Sequence, residues 1–185
     1  MKTLALSALL LITACASPVP TVQQYLLRAD HPSQYAIQSA DSVVGLSRVT
    51  VASYIDGLGL VLETADGEVH TARSHQWAEP LRESLRSFLA SEISTQAGRV
   101  IRTQRSGENH WKQRIDIRID ELHGTTDGQA RLVAYWSVTD SKQRTIISEN
   151  GFVDTESLSG DGYESLVLAH KKLLRKLAAA IAKTL

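Results

Sequence analysis

The sequence contains few of the residues that would crosslink it, embed it in a membrane or direct it to nucleic acid. It has a single cysteine, at position 15, so no disulfide bond can form within the 185-residue chain. Aromatic residues make up only 5%, and the 20 basic residues balance the 20 acidic ones, which disfavours nucleic acid as the main partner. The one long apolar run, at 4–14, is too short for a membrane-spanning helix, which needs roughly 20 residues. The core must therefore consist of aliphatic side chains held together by packing alone.

The N-terminus resembles a bacterial lipoprotein signal. Lys2 precedes the apolar run, and Ile12-Thr13-Ala14-Cys15 closes it with small residues before the cysteine. Cleavage before Cys15 would leave a residue that carries a diacylglycerol on its thiol and a further acyl chain on its amine. Several acyl chains hold a protein stably on a membrane, whereas one binds only marginally. Lipoproteins retained at the inner membrane commonly have Asp after the cysteine, so Ala16 favours the outer membrane. The alternative is an ordinary secretory signal with an incidental cysteine.

These features divide the chain into three predicted segments. Residues 1–14 are the signal peptide, residues 15–24 are the acylated cysteine with a tether, and residues 25–185 are a single domain. Pro18 and Pro20 extend the tether, which can span roughly 30 Å. Without the signal peptide, 171 residues remain, with 19 basic and 20 acidic side chains. That length is sufficient for one hydrophobic core.

Hydrophobic periodicity predicts strands separated by two helices. The strands are predicted at 25–27, 43–53, 58–64, 68–72, 115–119, 130–139 and 145–153, with a hairpin turn at Asp66-Gly67 and a second turn at 124–128. Helices are predicted over 78–97, with Pro80 in the first turn, and from about Tyr163 to the end. His170 lies in the apolar stripe of the second helix, where we expect a helix–sheet contact with a hydrogen-bonded ring nitrogen. The predicted fold class is α/β, a layered domain with a mixed β-sheet and two long amphipathic helices. The strand order stays open.

Motifs of catalysis and metal binding are missing from the sequence. No histidine is spaced with a second histidine or a carboxylate as metal ligands require; the six are His31, His70, His75, His110, His123 and His170. The Asp-Gly-Leu-Gly sequence at 56–59 lacks the remaining residues of a phosphate-binding loop, and no nucleophile elbow occurs. We therefore predict that the protein is not an enzyme and has no metal site. We also predict no cofactor apart from covalent lipid on Cys15.

Several separate stretches of the domain resemble the ABC-transport auxiliary lipoproteins. The longest is Val49-Thr-Val-Ala-Ser-Tyr-Ile-Asp-Gly-Leu-Gly-Leu-Val, and the most specific is Trp77-Ala-Glu-Pro-Leu81. Tyr25-Leu26-Leu27, residues 119–128 and Asp161-Gly162-Tyr163 agree as well, so the likeness covers nearly the whole chain after the signal. One departure is Ala52, where relatives usually have proline.

The resemblance implies a role in lipid transport between membranes. Such proteins are held on the outer membrane by acyl chains and face the periplasm, where an MCE-domain protein of the inner membrane forms a lipid conduit. The resemblance further implies a ring-shaped homo-oligomer that docks this conduit. Candidate partner-binding residues are Tyr54, Ile55 and Trp77, and packing of the same residues at a corner of the fold is the alternative. Two other functions stay open: a carrier that itself binds phospholipid, and an assembly lipoprotein of another outer-membrane machine.

Overall fold

The computed structural model describes residues 21–30, 43–64, 67–103 and 111–185. These residues form eight strands and two helices. In chain order they are β1 (Gln23–Tyr25), β2 (Val44–Val51), β3 (Gly59–Glu63), β4 (Val69–Trp77), α1 (Leu81–Ala97), β5 (Ile101–Thr103), β6 (Gln113–Thr125), β7 (Gln129–Asp140), β8 (Ile146–Ser157) and α2 (Tyr163–Ala182).

All eight strands belong to one mixed sheet with β6 at its centre. One edge of β6 pairs antiparallel with β7, which in turn pairs antiparallel with β8. The other edge pairs in parallel with two strands in succession, β2 along its first half and β3 at its end. Beyond β3 lie β4 and then β1, and beyond β2 lies β5. The predicted α/β class with a mixed sheet is therefore confirmed.

The core lies between the two helices and one face of the sheet. Ile115, Ile117 and Ile119 of β6 are at most 2% exposed, whereas Arg114 and Arg118, which alternate with them along the strand, are exposed. This alternation places one face of β6 against the helices and leaves the other in solvent. The helices pack on each other, with α1 against β2 and β5 and with α2 across β7 and β8.

Several element boundaries differ from the predictions. The helix predicted over 78–97 begins at Leu81, and Pro80 is its N-cap rather than part of its first turn. The strand predicted at 68–72 runs from Val69 to Trp77, and the one predicted at 145–153 runs from Ile146 to Ser157. Both are longer because polar residues continue the backbone pairing without an apolar alternation. β5 was not predicted, since three residues carry too little periodicity.

Candidate functional site

A tight loop at residues 53–58 joins the two strands that lie on the same edge of β6. The Ala52 amide donates to the Ile119 carbonyl at 2.9 Å, which holds the start of the loop against β6. Within the loop, the Ile55 amide donates to the Ala52 carbonyl at 3.1 Å. The Ile55 side chain is only 2% exposed and belongs to the core. The buried Ile55 side chain thus holds the loop against the core.

Two polar contacts fix the sides of this loop. The Tyr54 hydroxyl lies 3.2 Å from His123 Nδ1 on β6, and Asp56 forms an ion pair with Arg82 at the start of α1. Leu58, at the end of the loop, remains 44% exposed. An apolar side chain displayed on a braced loop is suited to contact with another molecule, because little conformational entropy is lost on binding.

His123 connects the loop to an acidic hollow at one end of the sheet. Its Nε2 atom lies 3.4 Å from Glu63 Oε2 and 3.8 Å from Glu121 Oε2 but forms no well-aligned hydrogen bond. Burial lowers the pKa of His123, although the two carboxylates oppose the shift. Burial also raises the pKa of Tyr54 to about 12, with a further contribution from Glu121. Both rings are therefore uncharged at neutral pH.

The hollow itself carries net negative charge. Arg131 forms an ion pair with Glu121, and Glu63 and Asp127 are the further carboxylates on its wall. A hydrogen bond from the Thr125 hydroxyl is the main cause that lowers the pKa of Asp127. With three carboxylates facing one guanidinium, the hollow attracts cations and repels anions.

Trp77 and His170 lie in the core on the helix side of the same region. Trp77 is 3% exposed, and its amide donates to the Leu58 carbonyl at 2.6 Å. The Trp77 ring lies 6.1 Å from the His170 ring, which is 1% exposed. Neither ring nitrogen of His170 has a well-aligned hydrogen-bond partner among the described residues. The predicted hydrogen bond is present only as a contact with the main chain of His123 that falls short of this geometry. Burial lowers the pKa of His170 to about 4, and the nearby main chain of His123 opposes this only in part.

The beginning of the described chain is tied to the same end of the domain. The Tyr25 hydroxyl lies 3.0 Å from His75 Nδ1 on β4, and the His75 ring stacks on Tyr163 with centroids 4.2 Å apart. The Ala78 amide donates to the Tyr25 carbonyl at 2.9 Å. These contacts link β1, β4 and the first turn of α2. Gln23 and Gln24, which were predicted to belong to the tether, are therefore part of the folded domain.

The predicted site residues therefore occupy different environments. Tyr54 is partly exposed, whereas Ile55 and Trp77 are buried in the core; a partner-binding role of these three residues stays a prediction. Cys15 lies outside the described residues. Sequence reasoning missed His123, because Asp120-Glu121 before it is typical of a solvated strand end. The signal that marks the change is the break in apolar alternation after Ile119, where the β6–β7 register shifts.

Two other kinds of site are not formed by the residues that the structure describes. Among the described residues, no group of three or more His, Cys, Asp or Glu side chains is arranged to hold a metal ion. No helix in the described ranges has both the length and the apolar character needed to span a membrane.

Comparison with known proteins defines the class to which this fold belongs. Residues 25–182 match the family model of the ABC-type transport auxiliary lipoprotein component, so the chain is a member of that family. It is 26% identical to the intermembrane transport lipoprotein PqiC of Escherichia coli over 98% of this chain and 96% of that protein. The PqiC protein of Shigella flexneri matches to the same extent.

Solved structures show the same fold. A crystal structure of an uncharacterized protein superposes with a TM-score of 0.73 at 24% identity and covers 88% of this chain and 97% of that chain. A protein from Xanthomonas campestris superposes with a TM-score of 0.65 at 14% identity over 88% of this chain and 90% of that one.

Proposed function

We propose that this protein is a lipid-anchored docking component of an intermembrane transport system. Acyl chains on Cys15 hold it on the outer membrane, and the domain faces the periplasm. There it docks an MCE-domain protein of the inner membrane, similar to PqiB, that conducts phospholipid between the membranes. The observation that carries the proposal is the family match over residues 25–182, together with similarity to PqiC along 98% of the chain.

The geometry supports docking rather than catalysis. The loop at 53–58 is braced at Tyr54, Ile55 and Asp56, and it displays Leu58 as a preformed contact. The role we propose is non-enzymatic, since binding to a conduit requires a shaped surface and no reacting group.

Self-association into a ring is part of the proposal. β8 is a twelve-residue strand that pairs with β7 alone among the described strands. An unpaired strand edge of this length offers backbone donors and acceptors to another chain. A neighbouring copy that meets this edge through a different surface would generate a ring if the rotation closes.

The anchoring part of the proposal is tested by removing the lipidated cysteine. In a strain that lacks the native gene, Cys15→Ser should abolish complementation of the transport defect while the domain stays folded. A matched form, exported by an ordinary secretory signal and beginning at residue 16, should be equally inactive at equal abundance. Full complementation by that soluble form would show that membrane attachment is dispensable.

The docking part is tested by in-cell crosslinking of the tagged lipoprotein, followed by mass spectrometry of its neighbours. An MCE-domain protein should dominate the crosslinked material. Recovery of a different outer-membrane machine would instead support an assembly lipoprotein and contradict the docking function.

A second candidate function, a carrier that binds phospholipid itself, is favoured by one groove. This groove of about 490 Å³ lies between residues 27–29, α1 and β5, and Leu27, Phe88 and Ile101 contribute apolar lining beside Arg28. An acyl chain against the apolar wall and a phosphate at Arg28 would match its chemistry. Native mass spectrometry of protein purified from membranes should then show bound phospholipid, and its absence would count against a carrier.

A further inference from the structure

One end of the sheet carries exposed cations that come from three separate segments. This basic end consists of the residue before β6, the β7–β8 connection and the end of α2. Its exposed cations are Lys112, Lys142, Arg144 and Lys183. None of them forms an ion pair with the part of the chain that the structure describes. Because the acidic hollow lies at the other end of β6, a chain with no net charge has two ends of unlike charge.

Hydrogen bonds hold the three cationic segments together. The Ser141 amide donates to the Lys112 carbonyl at 2.9 Å, which joins the β7–β8 connection to the start of β6. The Trp136 indole on β7 donates to the Thr184 hydroxyl at 3.1 Å, which joins the end of α2 to the same region. The cations are thus displayed on a folded surface, so little main-chain entropy is lost when they bind a ligand.

The β7–β8 connection holds an arginine in a backbone conformation that favours glycine. Arg144 has a φ of 58°, in the left-handed region, and its amide donates to the Asp140 carbonyl at 2.8 Å. The Asp140 carboxylate accepts the amides of residues 142 and 143, so the turn closes without the arginine side chain. A residue other than glycine in this region costs stability, and such costs are concentrated at functional sites. A role of the Arg144 side chain outside the fold accounts for this residue.

Two exposed isoleucines directly follow these cations. Ile146 and Ile147 open β8 and are 59% and 50% exposed. Ile146 pairs with Thr139, but the β7–β8 register then shifts, so Ile147 is an extra residue with no partner on β7. Such a bulge redirects side chains, and here both apolar side chains remain in solvent. Exposed apolar side chains beside lysine and arginine are typical of surfaces that bind lipid bilayers.

The predicted lipid anchor can reach the same bilayer as the basic end. Through the pairing of β1 with β4, of β4 with β3 and of β3 with β6, Gln23 is about level with Glu121. Glu121 is eight residues from Gln113 at the basic end, or roughly 26 Å along β6. Eight residues also join Cys15 to Gln23, a span of at most about 28 Å. So short a tether keeps the domain at a high local concentration beside the bilayer.

We infer that the basic end, with Ile146 and Ile147, is a contact surface for the anionic headgroups of the bilayer that anchors the protein. This rests on the lipid anchoring at Cys15 proposed above. Anionic headgroups attract the lysines and arginine of the basic end and repel the acidic hollow, and both effects turn the domain in the same direction. The isoleucines add burial of apolar surface among the headgroups.

This orientation agrees with the proposed docking function. β2 begins at the basic end, where Val44 pairs with Gln113, and it ends at Val51, just before the loop at 53–58. Seven residues of strand, or roughly 23 Å, therefore separate the loop from the bilayer surface. Leu58 is then held away from the headgroups, on the side where a partner in the periplasm can reach it.

Vesicle binding by the form that begins at residue 16 tests the surface without the acyl chains. At low ionic strength this form should bind vesicles of phosphatidylethanolamine and phosphatidylglycerol. It should bind far more weakly when phosphatidylcholine replaces phosphatidylglycerol. Lys112→Glu with Lys142→Glu should weaken the binding by at least about tenfold, and added salt should reduce the difference.

A matched control removes the effect of net charge alone. Arg73→Glu with Lys171→Glu changes the net charge equally at sites away from the basic end, and this pair should bind vesicles nearly as the unchanged protein does. Circular dichroism should show unchanged folding of both proteins. Equal weakening by both pairs, or binding with no preference for phosphatidylglycerol, would overturn the inference.

Two further variants separate the charge from the apolar contact. Arg144→Gly should not lower the free energy of unfolding, because glycine adopts the left-handed region without strain, but the affinity for vesicles should fall about fivefold. Ile146→Ser with Ile147→Ser should weaken binding at high salt as well, since salt does not screen apolar burial. Unchanged affinity in both variants would contradict the inference. Loss of an oligomer in the serine pair, with vesicle binding intact, would assign the isoleucines to contacts between copies and likewise overturn it.

The acylated protein tests whether the anchor permits this contact. Acylation occupies the chain's only cysteine, so Gln143→Cys and Ser159→Cys each supply one thiol for an environment-sensitive fluorophore. In vesicles that contain phosphatidylglycerol, the fluorophore at 143 should emit at shorter wavelength, and the one at 159, in the β8–α2 connection, should not. A shift at 159 alone, or an equal shift at both positions, would overturn the orientation. A shift at neither position, with the protein still recovered on the vesicles, would overturn the contact surface while anchoring at Cys15 stands.

Discussion

The buried imidazole of His170 makes the stability of the domain sensitive to acid. The ring is 1% exposed and has no well-aligned hydrogen-bond partner among the described residues, and burial lowers its pKa from 6.5 to about 4. In the unfolded chain the ring takes up a proton below about pH 6.5, whereas in the folded protein it stays neutral down to about pH 4. The contribution of the neutral His170 ring to the free energy of unfolding is therefore fully present above pH 6.5. It is lost progressively as the pH falls from 6.5 to 4. The difference between the pKa of the ring in the unfolded and in the folded protein corresponds to about 3 kcal/mol of the free energy of unfolding.

The variant His170→Leu removes this dependence. An apolar side chain of similar size cannot titrate and leaves no polar atom unpaired, so the free energy of unfolding at pH 7 should be unchanged or higher. Between pH 7 and pH 4.5 the wild-type protein should lose about 2–3 kcal/mol relative to the variant. Urea unfolding of the protein in detergent, followed by tryptophan fluorescence at several pH values, measures both curves.

Two controls isolate the imidazole. His70→Gln replaces an exposed histidine on β4 and should leave the wild-type pH dependence intact. Direct NMR titration of the His170 ring in the folded protein should show no protonation at pH 6. Parallel unfolding curves for wild type and His170→Leu, with a ring that titrates near pH 6.5, would refute the reasoning.

Three further changes test the loop and the core. Gly59→Ala should lower the free energy of unfolding in urea by about 1–3 kcal/mol, because the added Cβ would lie 2.5 Å from the Ala72 carbonyl oxygen. In the control Gly57→Ala the added Cβ meets open space, so the stability should not change. Tyr54→Phe should lower the free energy of unfolding by about 1 kcal/mol, because the contact to His123 is lost. Amide hydrogen exchange in residues 53–58 should become faster, and unchanged exchange would contradict the role of Tyr54 in holding the loop. Leu85→Ala, at a site with 0% exposure, should cost about 2–5 kcal/mol in the same unfolding assay, and a cost below 1 kcal/mol would show that this side chain is outside the core.

Local periodicity was sufficient to predict the elements that bury one face. Ile115, Ile117 and Ile119 alternate along β6, and the stripe that includes Leu166 and Leu173 recurs at helical spacing along α2. Both patterns predict the correct element because the side chains of neighbouring residues report directly on which face is buried. The predicted boundaries were less accurate where polar residues continue a strand, as between Ala72 and Trp77, because backbone pairing does not require a particular type of side chain.

The candidate site was predicted only in part. Tyr54 and Trp77 belong to the stretches that resemble the family, but sequence alone could not show that Trp77 is buried or that Tyr54 contacts His123, 69 residues away. Contacts of this kind depend on which strands become neighbours. The strand order, with β2 and β3 on the same edge of β6, is a property of tertiary packing and has no local signature.

By itself, the sequence determined the balance of charge, the lack of disulfides, the lipoprotein-like N-terminus and the α/β class, because each follows from composition or from residues close together in the chain. Only the tertiary structure decided that His123 is buried and that Tyr54, 69 residues away in the chain, contacts it. Both depend on pairings between distant segments, such as β2 and β3 with β6. The free energy that selects those pairings comes from the whole core rather than from any one stretch of sequence.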